Sequence, residues 1–123
     1  MIDRHISAYA KGIMGEDNAC AFLCQRGMVP LFRRYHSPFG ELDLVMLEGD
    51  VLVFVEVKTR ERGTAADGLN AVNTRKQARM IQTVRCFLGE HTEYCNHMMR
   101  FDIVTLTNSG IHHLQNAFEA SLL

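Results

Sequence analysis

Three carboxylates and a lysine stand where a strand pattern would bring them together. Gly40-Glu41-Leu42-Asp43 opens one apolar run, and Val51-Leu52-Val53-Phe54-Val55 passes, with no turn signal, into Glu56-Val57-Lys58. Successive strand residues point to opposite faces, so Glu41 and Asp43 share one face of their strand, and Glu56 and Lys58 share one face of the next. A turn at Glu48-Gly49-Asp50 joins the two runs into a hairpin whose register brings Asp43 near Glu56. Two carboxylates then meet beside one ammonium. Neighbouring carboxylates cannot both ionise comfortably without a cation. A divalent metal removes that cost, and one or two carboxylates with waters in the remaining positions suit Mg²⁺. Such a site could hydrolyse a phosphodiester, the metal polarising a phosphoryl oxygen and activating water while the lysine orients the nucleophile or offsets charge on phosphorus. The plainer alternative is a hairpin whose last residues emerge into solvent as an exposed pair that contributes little.

Elements must hold these residues. Ile6, Tyr9, Ala10, Ile13, Met14, Cys20 and Cys24 recur at three- and four-residue spacing, which predicts an amphipathic helix over 6–24 with Gly27 near its end. On that helix Glu16 falls at the edge of the apolar arc, between Tyr9 and Leu23, and Asp17 falls within it. A carboxylate on a packing face makes Glu16 a further candidate, and Gly12 and Gly15 would allow close approach to a sheet. Strands are expected from Met28 to Tyr35, Glu41 to Leu47 and Val51 to Lys58, followed by a loop at 63–68. Thr74-Arg75-Lys76-Gln77 fits a capping box, with Met80, Ile81, Val84, Phe87 and Leu88 following at helical spacing. Arg100 to Thr107 reads as a fourth strand and His112 to Phe118 as a short fifth. The expected class is α/β, a mixed sheet flanked by helices in the order helix, three strands, helix, strand.

The 123 residues fit one domain, 1–123, with 47% hydrophobic and 22% charged residues and no low-complexity run. The longest apolar run, Val51 to Val55, is too short to cross a bilayer, and Asp3, Arg4 and His5 stand where a secretion signal would need an apolar block. No membrane partner and a cytoplasmic location are expected. Cysteines 20, 24, 86 and 95 contain no Cys-x-x-Cys pair and read as reduced thiols, Cys20 and Cys24 as small core residues. His91, Cys95 and His97 have metal-ligand types but lack a fourth ligand for zinc, and are set aside. His112-His113 is given no role.

The chain resembles the PD-(D/E)xK nuclease superfamily and, within it, closely resembles the YraN-type family of Holliday-junction-resolvase-like proteins. The residues that carry the resemblance are Gly15-Glu16, Gly40-Glu41-Leu42-Asp43, Val53-Phe54-Val55-Glu56-Val57-Lys58-Thr59-Arg60, Lys76 and Arg100-Phe101-Asp102, spread over nearly the whole chain. It implies a restriction-endonuclease-like core in which Asp43 and Glu56 bind Mg²⁺ or Mn²⁺, Lys58 assists the attacking water, Glu16 completes the site and Glu41 is a further ligand. Two positions depart from the pattern. Leu42 stands where the superfamily has proline, and Asp67-Gly68 stands where the family usually has an aromatic before the glycine, which bears on a loop contact rather than on the chemistry. Asp102 is read as pairing with Arg100 or holding an edge, outside the site.

The formal net charge is −1, yet between Lys58 and Arg85 seven basic residues face two acids. On the second helix Arg75, Lys76 and Arg79 share an arc, two of them in the first turn, where the helix dipole disfavours cations. A phosphate at that helix start would reverse the balance, and Arg60 and Arg62 would extend the track. A solvated charged face is the alternative. With no helix-turn-helix, zinc-finger or aromatic-rich stacking pattern, recognition of DNA by backbone or branched shape is the expectation. The function implied is a metal-dependent DNA endonuclease selective for branched DNA, and cleavage of a junction would imply paired active sites and so a homodimer. The alternative is a non-catalytic nucleic-acid-binding or protein-interaction module on the same fold.

Overall fold

A computed structural model describes residues 8–60 and 73–119, with side chains in the first helix from residue 12 onward. The expected loop at 63–68 and Arg62 lie outside the described residues. The chain runs α1 (Ala8–Gln25), β1 (Val29–Ser37), β2 (Gly40–Glu48), β3 (Val51–Thr59), α2 (Thr74–Glu90), a 3₁₀ turn (Thr92–Tyr94), β4 (Met98–Thr107) and β5 (Gly110–Phe118). This is the expected order, and it matches the restriction-endonuclease-like arrangement that the resemblance implied.

The five strands form one mixed sheet in the order β1-β2-β3-β4-β5. Short turns make β1-β2, β2-β3 and β4-β5 antiparallel, whereas β3 and β4 pair in parallel because α2 lies between them in the chain. Glu48 pairs with Val51 across a tight Gly49-Asp50 turn in which Gly49 has φ 58. That left-handed conformation costs glycine nothing. Strand β3 is the centre, and its alternation divides the core in two. Leu52 and Phe54 pack with Met80, Val84 and Phe87 of α2, while Val53 and Val55 pack with Ala19 and Leu23 of α1. Burial on both faces is what the unbroken apolar run anticipated.

Three local expectations are corrected. On α1 the buried stripe is Gly15, Glu16, Ala19 and Leu23, whereas Met14, Asp17 and Cys24 are exposed. The helix meets the sheet through its smallest residues: a Cβ on Gly15 would lie 2.6 Å from the Thr59 hydroxyl, so close approach rather than bulk sets the packing face. The cap of α2 is Asn73, whose side chain accepts from the Lys76 backbone N–H at 2.9 Å, one residue earlier than the expected box. Strand β5 is longer than expected, and its pairing with β4 shifts between Phe101 and Ile103.

Asp102 fills that irregularity. Its carboxylate, fully buried, accepts from Arg100 Nε and Nη2 at 2.8 and 2.9 Å, from the Asn116 backbone N–H at 3.0 Å, and pairs with His113 Nε2 at 2.7 Å. Arg100 also reaches Glu48 at 2.9 Å, which ties β4 to the end of β2. His113 therefore has the partner that the sequence did not assign it. Burial alone would raise the Asp102 carboxyl, but the hydrogen bonds from His113, Arg100 and Asn116 outweigh it and hold the group below the ordinary carboxylate range.

Breaking this buried network by Asp102→Ala should cost about 3–5 kcal/mol at neutral pH, because Arg100 and the bulge N–H lose their acceptor. A carboxyl depressed in the folded state stabilises above its unfolded value of about 3.9 and loses that contribution as pH falls through the lower folded value. Urea unfolding at several pH values should therefore show a gap between wild type and variant that narrows below about pH 4.

Candidate active site

The ladder between β2 and β3 ends at Leu44 and Val55, and the backbone groups beyond it need other partners. The Val57 N–H finds one in Asp43 Oδ2, at 2.8 Å. A side-chain carboxylate thus takes the place of a strand carbonyl, and the opened strand ends form the floor of a cleft of about 730 Å³. Gly12 and Glu16 of α1 form one wall, Phe39 and Gly40 the β1-β2 corner, Lys58 to Arg60 the end of β3, and Lys76, Arg79 and Thr83 of α2 the opposite wall. Asp43, Glu56 and Lys58 come together as the hairpin register anticipated, and Glu16 and Glu41 join them.

The charges fall into two groups. Glu16, Glu41 and Asp43 each offer an oxygen within 4.8 Å of one another. Arg34 faces them, its Nε 3.1 Å from Glu16 and 3.7 Å from Glu41. Glu56, 5% exposed, is held by Lys76 and lies 3.4 Å from Lys58 Nζ. Burial, then the nearby Glu56 charge, pushes the Asp43 carboxyl up to about 8, which means that the folded protein keeps a proton there at neutral pH. Burial also raises Glu16, against the pull of Arg34. The Lys58 ammonium is lowered by burial and by its neighbour Lys76, whereas burial of Lys76 is outweighed by its bonds to Glu56 and Lys58, which raise it. Carboxylate oxygens gathered this closely, with Glu56 beside them, are hard donors of the kind a divalent cation takes, so the donor set fits Mg²⁺ or Mn²⁺.

Of the basic residues expected on an open face, Lys76 instead turns into the cleft, Arg60 and Arg79 line it, and Arg75 is exposed outside the lining. Sequence reasoning missed Arg34, which sits in β1 with φ 55, a left-handed conformation rare outside glycine. Its one signal was the Arg33-Arg34 pair inside a strand-like segment, and nothing local told which arginine faced the carboxylates. Thr83 was missed as well; fully buried, its hydroxyl donates to the Arg79 carbonyl at 2.8 Å.

A family model described as "Uncharacterised protein family UPF0102" matches residues 15–106, a span that contains every cleft residue from Glu16 to Thr83. A UPF0102 protein of Pseudomonas aeruginosa (strain LESB58) is 37% identical over 126 residues, covering 98% of this chain and all of that relative. One from Synechococcus sp. (strain JA-3-3Ab) is 39% identical over 128 residues, covering 96% of each chain. One from Rhodopseudomonas palustris (strain BisB18) is 37% identical over 117 residues, covering 94% of this chain and 85% of the relative.

The raised Asp43 carboxyl has a consequence for stability. Between about 3.9, the unfolded value, and about 8 the folded chain holds a proton that the unfolded chain has released, so stability falls as pH rises through that window. Asp43→Asn keeps an acceptor for the Val57 N–H and removes the ionisation. In metal-free buffer at pH 8 the variant should be more stable than wild type by on the order of 1 kcal/mol or more, with the difference shrinking toward pH 5 in thermal melts.

Proposed function

This chain belongs to the UPF0102 family, the YraN-type family of the sequence resemblance, and from the site it carries we propose that it is a metal-dependent DNA endonuclease. The observation that carries the reading is the convergence of Asp43, Glu56 and Lys58 at the opened β2-β3 strand ends, inside a cleft whose other walls add Glu16, Glu41, Lys76 and Arg79. Asp43 and Glu56 would hold Mg²⁺ or Mn²⁺, with Glu41 and Glu16 close enough to contribute. An ion bound there would supply Lewis-acid polarisation of a phosphoryl oxygen and positive charge against the developing transition state.

The chain's own residues do the rest. Lys58 leaves the buried strand on the same face as Glu56, so its ammonium is positioned by the sheet rather than by a flexible loop. Its lowered pKa eases the giving up of a proton, which suits a group that orients or deprotonates attacking water. Lys76 shares Glu56 with it and offers a second ammonium to a phosphate that enters from the α2 side. Arg79 and Arg60 line the same opening, where sequence-independent contacts to a DNA backbone would form. Arg62, the further basic residue of the same proposal, lies beyond the described residues. Selectivity for branched DNA and a homodimer with paired sites belong to the same reading.

One observation favours the second reading. Glu56 already has two ammonium groups beside it, so that part of the cleft is charge-compensated without any ion, as a binding module that does not cut would also require.

Cleavage of labelled four-way, flapped and linear DNAs in Mn²⁺ and Mg²⁺ separates the two. Wild type should cut, and Glu56→Ala and Lys58→Ala should each lower the rate by about 100-fold or more, the scale expected for loss of a group acting on the transition state. DNA binding at low salt should survive in both variants. Wild type that binds but leaves every substrate intact, or variants that cut as well as wild type, would favour the binding module.

A further inference from the structure

The turn between β1 and β2 does something that a hairpin does not need. Its two residues are Pro38 and Phe39, between the paired Ser37 and Gly40, and Phe39 is 48% exposed at the rim of the cleft. Tight turns favour glycine, asparagine, aspartate and serine. A large apolar ring there leaves about half of its surface in water.

The backbone that carries the ring is also anchored. The Phe39 backbone N–H donates to Ser37 Oγ at 3.1 Å, and the Ser37 hydroxyl lies 3.1 Å from Thr83 Oγ1 on α2. The Thr83 hydroxyl in turn donates to the Arg79 carbonyl. This chain of bonds ties the turn to the helix that carries Lys76 and Arg79, and Pro38 removes one further backbone freedom. Gly40, with φ 152, completes a corner that other residues would adopt only with strain.

From this exposed aromatic on an anchored turn beside cationic side chains we infer that Phe39 is a specificity-determining residue that stacks on an unpaired nucleobase. The inference rests on the nuclease reading and adds to it the substrate class: DNA with unpaired or unstacked nucleotides next to the scissile phosphate. In a continuous duplex the base faces are covered by their neighbours, so the ring meets only backbone and groove. An unpaired strand exposes those faces, and base-aromatic stacking is tolerant of sequence. The cations that share the cleft, Arg34, Arg60, Lys76 and Arg79, would hold the backbone of the same strand while the ring takes the base.

The chain contains no tryptophan, so Phe39→Trp would place a single indole reporter at the turn. Titration in EDTA with a single-stranded oligothymidylate and with a paired duplex of equal length should quench that fluorescence for the single strand and leave it nearly unchanged for the duplex. Phe39→Ala should weaken single-strand binding about tenfold and duplex binding less than twofold, with the thermal melting point within a few degrees of wild type. Binding without quenching, or equal losses for both DNAs, would overturn the stacking role. Cleavage dependent on Glu56 and Lys58 would still stand in that case, whereas failure of every form of the protein to bind DNA would remove both readings together.

Discussion

Strand β3 has to be dry along its length and charged at its end. Leu52, Val53, Phe54 and Val55 are buried between the two helices, and one residue later the same strand delivers Glu56, still only 5% exposed. A carboxylate so placed costs several kcal/mol unless cations surround it. Lys58 from the same strand and Lys76 from α2 supply them. The position of α2 follows from this demand as much as from packing: Met80, Val84 and Phe87 seat the helix on the sheet, and the ion pair fixes which part of its first turn faces the strand end. Lys76 in that first turn is unfavourable for the helix dipole and becomes favourable once Glu56 lies against it.

Two charged networks among the described residues have opposite designs. Around Asp102 every acceptor oxygen is used, by Arg100, His113 and the Asn116 N–H, and the carboxyl is held ionised. That network fills a break in the β4-β5 ladder and closes it. Around Asp43 the β2-β3 ladder also breaks, but the carboxylates that fill the gap crowd one another and face a cleft. The first arrangement stabilises. The second stores unfavourable proximity between carboxylates that a hard cation would relieve, and it is there that function is to be sought.

Much of this is legible in the sequence. The apolar run at Val51 to Val55 required a strand buried on both faces, and the absence of a turn signal before Glu56 required its charges to stay attached to that strand. The hairpin turn at Gly49 set the register that brings Asp43 and Glu56 together. The face of α1 was less legible: periodicity of bulky residues favoured an arc that includes Met14 and Cys24, whereas the helix packs on Gly15, Ala19 and Leu23. Small residues carry little hydrophobic signal, yet they permit the closest approach and so decide the contact. His113 was illegible for a different reason, since its partner Asp102 is reached only through a pairing shift that no local pattern announces.

By itself the sequence determined the elements, their order, and the residues that each presents, because spacing along a chain dictates which side chains share a face of a helix or strand. Tertiary structure alone decided that Lys76 leaves the outer surface for Glu56, that Arg34 rather than Arg33 meets Glu16 and Glu41, and that Phe39 stands at the cleft. Those are relations between segments far apart in the chain. They depend on how far each helix rotates and how closely it approaches the sheet, and these follow from packing and charge compensation over the whole core rather than from any local repeat.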